Sequence, residues 1–251
     1  MQVAASTLLP VLWSQVDGVD LHARHRSPWH GGDFFDALPV GHHVLFLLTD
    51  MAALQLQDRN VMSQLQNVFR QKAHELFAGS EVNESDALAE LAHAFNLALI
   101  AAAQGVHFAP SFLGCFNLTH GILFYCNAGN LLALVRSEGN VRVLQSSGMS
   151  LGLFTHTTFE ATILALQKGD ALLVVTKGVT GSLRGGTEFG AQGVTRTLKN
   201  KTAASASAIC EAVLREAHAF VHHPWSRFVS LFHRSKRSNE DDLTALALVR
   251  H

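Results

Sequence analysis

Three cysteines in 251 residues, at positions 115, 126 and 210, are too few and too scattered to staple a small secreted fold or to form a paired zinc motif. They read as reduced, buried thiols of a cytoplasmic protein. Charge is sparse too. Asp, Glu, Lys and Arg make up 16% of the chain, and the formal net charge is −1. That balance speaks against nucleic acid or an anionic membrane as the partner. The one basic cluster, HRSKR (233–237), runs straight into NEDD and reads as a solvated loop. No Lys or Arg precedes Arg24, and Pro10 breaks the apolar opening, so the start lacks the form of a secretory signal. No apolar run reaches the roughly 20 residues of a membrane span. Histidine is plentiful, but His42-His43 and His222-His223 are adjacent pairs whose side chains diverge on a strand and do not line up on a helix. Repeats, low-complexity tracts and linkers are missing, which points to a single domain over residues 1–251 with no attached regulatory domain.

What the chain does have is apolar material in short, regularly punctuated runs. Hydrophobic residues make up 48%, enough for a large core. GVDLHARHR (18–26) alternates and reads as a half-buried strand, and VLFLLT (44–49) as a buried one that stops at Asp50. The period then changes. Val61, Leu65, Val68, Phe69, Leu76 and Phe77 share one helical stripe within 56–79. A second helix is expected over 86–104, with Ser85 as its N-cap. Strands follow at 112–118, 121–126, 131–135, 141–145, 158–165 and 170–176, joined by turns too short for parallel crossovers. A helix over 204–222 and an apolar, central strand over 243–249 close the chain. Strands in a block, with helices in separate blocks, predict α+β layers around a mainly antiparallel sheet.

Acidic residues gather at strand ends: Asp33 and Asp36 in GGDFFD, Asp50 after VLFLLT, and Asp241 and Asp242 before the last strand. Clustered aspartate oxygens suit hard ions such as Mg²⁺ or Mn²⁺. The wording of these segments resembles the SpoIIE-like branch of the metal-dependent Ser/Thr protein phosphatases. The resemblance rests on STLLPVL (6–12), GGDFFD (31–36), LFLLTDMAALQ (45–55), GILFYCNAGN (121–130), SSGMSLGLF (146–154), LQKGDALLVVTKGVTG (166–181), EFG (188–190) and DDLTALAL (241–248), in that order. It implies a four-layer α-β-β-α sandwich with two mainly antiparallel sheets and a pair of Mn²⁺ or Mg²⁺ ions at one end. In that family a metal-activated water attacks phosphorus, so no protein nucleophile is needed. Carried over by motif, Asp33 holds one metal, Asp50 bridges both, Met51 offers a backbone carbonyl and Asp241 holds the other metal, with Asp36 and Asp242 in support. The resemblance further implies a phosphorylated partner protein in bacterial signalling, an anti-sigma-factor antagonist being one candidate, and no nucleic acid or membrane.

The family's fourth acidic ligand lies in a threonine-aspartate-glycine turn, where this chain has Thr176-Lys177-Gly178. At about 4 Å and an effective dielectric near 20, a pair of unit charges is worth roughly 4 kcal/mol. Going from −1 to +1 beside a divalent ion therefore changes the energy by at most about 16 kcal/mol before screening. Lys177 is thus expected as an internal charge substitute, paired with Asp50 and Asp241, with one metal site or none still occupied. The family resemblance implies glycine after the bridging aspartate or a glycine-histidine-glycine run shortly beyond; DMAALQ (50–55) has neither, so Met51, Ala52 and Ala53 are expected to narrow the approach, and Asn130 stands where histidine is usual. Two functions follow: an impaired phosphatase, or an inactive pseudophosphatase serving as a phosphoprotein-binding or regulatory module. The G-x-S-x-G match GMSLG (148–152) suggests a serine hydrolase, but no helix pattern follows Ser150, which reads as a turn residue.

Overall fold

A computed structural model describes residues 16–26, 32–51, 59–103, 107–146, 148–201, 204–222 and 242–251. The strands are β1 (Val19–Arg26), β2 (Asp33–Val40), β3 (His43–Asp50), β4 (Ser111–Asn117), β5 (Ile122–Ala128), β6 (Leu132–Ser137), β7 (Asn140–Val143), β8 (Thr162–Ala165), β9 (Ala171–Val175), β10 (Leu183–Arg184), β11 (Thr187–Glu188) and β12 (Leu243–Arg250). The helices are α1 (Arg59–Phe77), α2 (Glu84–Ala103), α3 (Lys177–Thr180), α4 (Gly190–Lys199) and α5 (Ala206–Val221). They form two compact units, each drawn from three separate stretches of chain.

The first unit holds a five-stranded sheet in the order β2-β3-β4-β5-β8, antiparallel throughout, with α1 and α2. All eight residues of β3 are buried, which is why it reads as an unbroken apolar run. Leu45 and Leu47 face the helices, where they join Met62, Leu65, Phe69, Ala73 and Phe77 of α1 and Leu88, Leu91, Phe95 and Leu99 of α2. The α1 set recurs every three or four residues, one stripe of a 3.6-residue helix. Phe95 stacks on Phe34 with centroids 5.9 Å apart and meets Phe69 edge-on at 6.5 Å. On the opposite face Phe46 stacks on Phe112 at 6.3 Å, and Phe112 on Tyr125 at 5.4 Å.

α2 starts two residues before the expected Asp86. Asn83, not Ser85, caps it: its side-chain oxygen accepts the Asp86 amide at 3.3 Å, while its Nδ2 donates to the Asp86 carboxylate at 2.7 Å. This helix is long and apolar enough to cross a membrane, which the sequence reading missed. Here its apolar side packs into the unit's core.

The second unit holds the sheet β1-β12-β9-β6-β7, also antiparallel, with α3, α4, α5 and the β10–β11 hairpin. As expected, β12 is interior, between β1 and β9, and its middle six residues are buried. Edge strand β1 is laced to α5 by its polar residues. The Asp20 carboxylate accepts the Ala206 amide at 2.7 Å, Cys210 Sγ donates to the His22 carbonyl at 3.4 Å, Arg24 pairs with Glu211 at 3.1 Å, and Arg26 reaches His218 at 3.0 Å. Twelve helical residues advance about 18 Å, and six strand residues about 20 Å, so the two spacings keep step. The α+β class and the antiparallel sheets match the sequence reading. β2, α3, the β10–β11 hairpin and α4 do not appear in it.

Candidate functional site

β2 and β3 pair from Asp33↔Asp50 to Val40↔His43, so the two aspartates close the ladder directly opposite each other. Residues so placed have Cα atoms about 4.5–5.5 Å apart and side chains on one face. That face is the one turned away from α1 and α2, because Asp50 follows Phe46 and Leu48 at period 2 while Leu45 and Leu47 go to the helices. The strand end is fixed beyond the ladder. The Asp50 amide donates to the Pro110 carbonyl at 2.8 Å, and Ser111 Oγ lies 3.0 Å from Thr49 Oγ1. Asp50 is only 7% exposed.

Asp36 belongs elsewhere. Three residues from Asp33 on a strand, it points to the helix side, where Arg70 of α1 grips it with Nε at 2.8 Å and Nη2 at 2.9 Å. The Ala37 amide donates a third bond at 2.9 Å. Hydrogen bonding to Asp36 holds the Arg70 guanidinium above its usual range. Met51 is 1% exposed with its side chain in the helix-side core, so it does not narrow the approach as expected. Ala52, Ala53 and Asp241 lie outside the described residues.

In the second unit, β9 ends at Val175 opposite Ala245 of β12. Thr176 and Thr244 extend the pairing by one step: the Thr176 amide donates to the Thr244 carbonyl at 3.1 Å, and the Thr244 amide to Thr176 Oγ1 at 3.2 Å. Lys177, opening α3, and Asp242, preceding β12, therefore share one end of this sheet. Lys177 is exposed. Exposure of the residue means that water screens part of its charge, so the electrostatic effect falls below its unscreened bound. His25 stands beside them, its Nδ1 2.7 Å from Thr244 Oγ1. Burial pushes the His25 pKa down, and the nearby Asp242 carboxylate only partly offsets that.

Ser150 is 2% exposed and packs so tightly on Gly129 that a Cβ there would lie 1.8 Å from Ser150 Oγ. No helix follows it, and a nucleophile's exposure is lacking. Asn130 takes the left-handed region at φ 68, which Asn tolerates after Gly129. The three cysteines are free and buried. Burial pushes the Cys126 thiol up to about 12 and raises Cys115 and Cys210 as well, so all three are inert. Among the described residues no three His, Cys, Asp or Glu side chains gather as a metal-holding group.

Two antiparallel five-stranded sheets, each with its own helices, are the architecture of the PP2C-type phosphatase fold. The PP2C phosphatase domain with a regulatory fragment of SpoIIE from Bacillus subtilis superposes with a TM-score of 0.69 at 15% identity, over 92% of this chain and 63% of that one. The RsbU and RsbW domains of Rv1364c from Mycobacterium tuberculosis give a TM-score of 0.66 at 23% identity, over 93% and 62%. Protein IcfG of Synechocystis sp. is 34% identical over 93 residues, 36% of this chain and 15% of that protein. The chain thus spans less than two thirds of the length of each of these relatives. The family model of Stage II sporulation protein E (SpoIIE) matches residues 41–251, and the chain belongs to that family. Asp50, Lys177, Asp241 and Asp242 fall inside the matched stretch, and Asp33 just before it.

Proposed function

We propose that the chain is a phosphoserine/phosphothreonine protein phosphatase domain of bacterial signalling, acting in the cytoplasm, whose metal-dependent activity is weakened by Lys177. The observation that carries this is the register pair Asp33↔Asp50. Like charges directly opposite on neighbouring strands destabilise a sheet unless a cation stands between them. Two carboxylates at this spacing fit a hard divalent ion, Mg²⁺ or Mn²⁺. Asp33, Asp50 and the Met51 carbonyl would hold it, and such an ion supplies charge neutralisation for a phosphate and a water of lowered pKa. In the second unit the family pattern assigns Asp241 as a ligand with Asp242 in support, but Lys177 does not fit as one. An ammonium has three donors and no lone pair to offer a metal.

The substrate class follows from the family: a phosphorylated regulatory protein, with an anti-sigma-factor antagonist as the first candidate. Hydrolysis of p-nitrophenyl phosphate against Mn²⁺ concentration tests the reading, in the wild type and in Lys177→Asp. Weak wild-type turnover is expected. The variant should need at least about tenfold less Mn²⁺ for half-maximal rate, since even 1.4 kcal/mol left after screening gives that factor. Fast wild-type turnover, unchanged by the substitution, would overturn the impairment. The exposure of the Lys177 residue favours a second reading, a pseudophosphatase that binds phosphoproteins, because a lysine is a competent point-charge ligand for phosphate. Metal-independent phosphopeptide binding that is lost in Lys177→Asp distinguishes it.

A further inference from the structure

α5 carries a histidine pair that the adjacent pair His222-His223 conceals in the sequence. His218 and His222 are one turn apart, and the His222 amide still donates to the His218 carbonyl at 3.2 Å, so the helical spacing persists to the cap. Their ring centroids lie 4.2 Å apart with the planes tilted by 45°. Arg26 Nη2 stands 3.0 Å from His218 Nε2. A guanidinium can only donate, so Nε2 is the acceptor and His218 carries a lone pair there. His222 is exposed and His218 half-buried, which leaves the pair reachable from solvent.

We propose that His218 and His222 form a chelating site for a divalent transition-metal ion of the zinc, nickel or copper type, separate from the aspartate site. Metal–nitrogen bonds of about 2.0–2.1 Å let one ion bridge donors up to about 4.2 Å apart. Rings this close can present two nitrogens within that span. Imidazole suits these borderline ions, whereas the carboxylates of the phosphatase site suit Mg²⁺ and Mn²⁺, so the two sites differ in preference. Water completes the coordination. The ion competes with Arg26 for the Nε2 lone pair, and binding loosens the last rung of the β1–α5 lacing.

Titration calorimetry of tag-free full-length protein with Ni²⁺, in excess Mg²⁺, tests the site. His218→Gln and His222→Gln should each weaken binding by at least the roughly tenfold that even an outer-shell change causes. His74→Gln, on α1, should leave it unchanged. Arg26→Gln should tighten binding, because the competing cation is gone. Equal affinity in the wild type and both histidine variants, or loss in only one of them, would overturn the chelate. Unchanged affinity in Arg26→Gln would overturn the competition. The phosphatase reading is untouched by either result.

Discussion

Asp36 is wholly buried, while 43% of the Arg70 side chain remains exposed. The two ends of this ion pair therefore differ in what their loss leaves behind. Without Arg70, a carboxylate with no access to water keeps only the Ala37 amide, and breaking a buried pair in that way costs about 3–5 kcal/mol. Without Asp36, the guanidinium turns to solvent. Arg70→Ala should thus lower stability by about 3 kcal/mol, and Asp36→Ala by clearly less, as read from urea unfolding midpoints; equal losses would contradict this account. The same residue shows a limit of the sequence reading. The sequence alone groups the two aspartates of GGDFFD at one strand end. Once Asp33–Val40 is a strand, period 2 sends Asp33 and Asp36 to opposite faces. Asp50 stands out in the sequence because it closes the apolar run 44–49, and Asp33 because it opens β2 after two glycines. Their direct opposition required the register, which no local pattern encodes.

Elements with a strong period were found, and those built on backbone geometry were not. α1, α2, α5 and most sheet strands announce themselves by apolar spacing, whereas β2, broken by Asp36 and Pro39, does not. α4 buries only Val194 and Leu198 as large apolar side chains, alongside Gly193 and Thr197, too thin a stripe to read. The β10–β11 hairpin has two residues per strand around Gly185 and Gly186, both at positive φ. β4 carries another hidden constraint. Gly114 lies opposite Phe46 in the ladder, and the Phe46 ring covers it so closely that an added Cβ would sit 2.2 Å from the ring. Phe46 is held against Phe112, which is stacked in turn on Tyr125, so the ring has nowhere to go. Gly114→Ala should therefore destabilise by about 1–3 kcal/mol through overpacking, against the usual gain when alanine replaces glycine in a strand. A thermal melt shifted upward by the substitution would refute this.

At the scale of the molecule, the first described strand pairs with the last: Val19↔Arg250 begins a register that runs to Arg26↔Leu243. Such a long-range pairing repays its closure entropy only late in folding. It also decides what truncation does. A chain starting at residue 27 lacks β1, so β12, with six consecutive buried residues, becomes a bare edge. α5 loses its partners Asp20, Arg24 and Arg26 at the same time. The truncated protein should associate and melt without a sharp transition. A synthetic peptide of residues 17–26 should restore cooperativity by adding the missing strand. Its alternation of Val19, Leu21 and Ala23 with Asp20, His22 and Arg24 supplies both the β12 ladder and the contacts along α5. A peptide with Asp20, Arg24 and Arg26 changed to Ser should restore the ladder but rescue less, and calorimetry of the three mixtures separates the two contributions. Full-length melting behaviour in the unsupplemented truncation would show that the second unit closes without its edge strand.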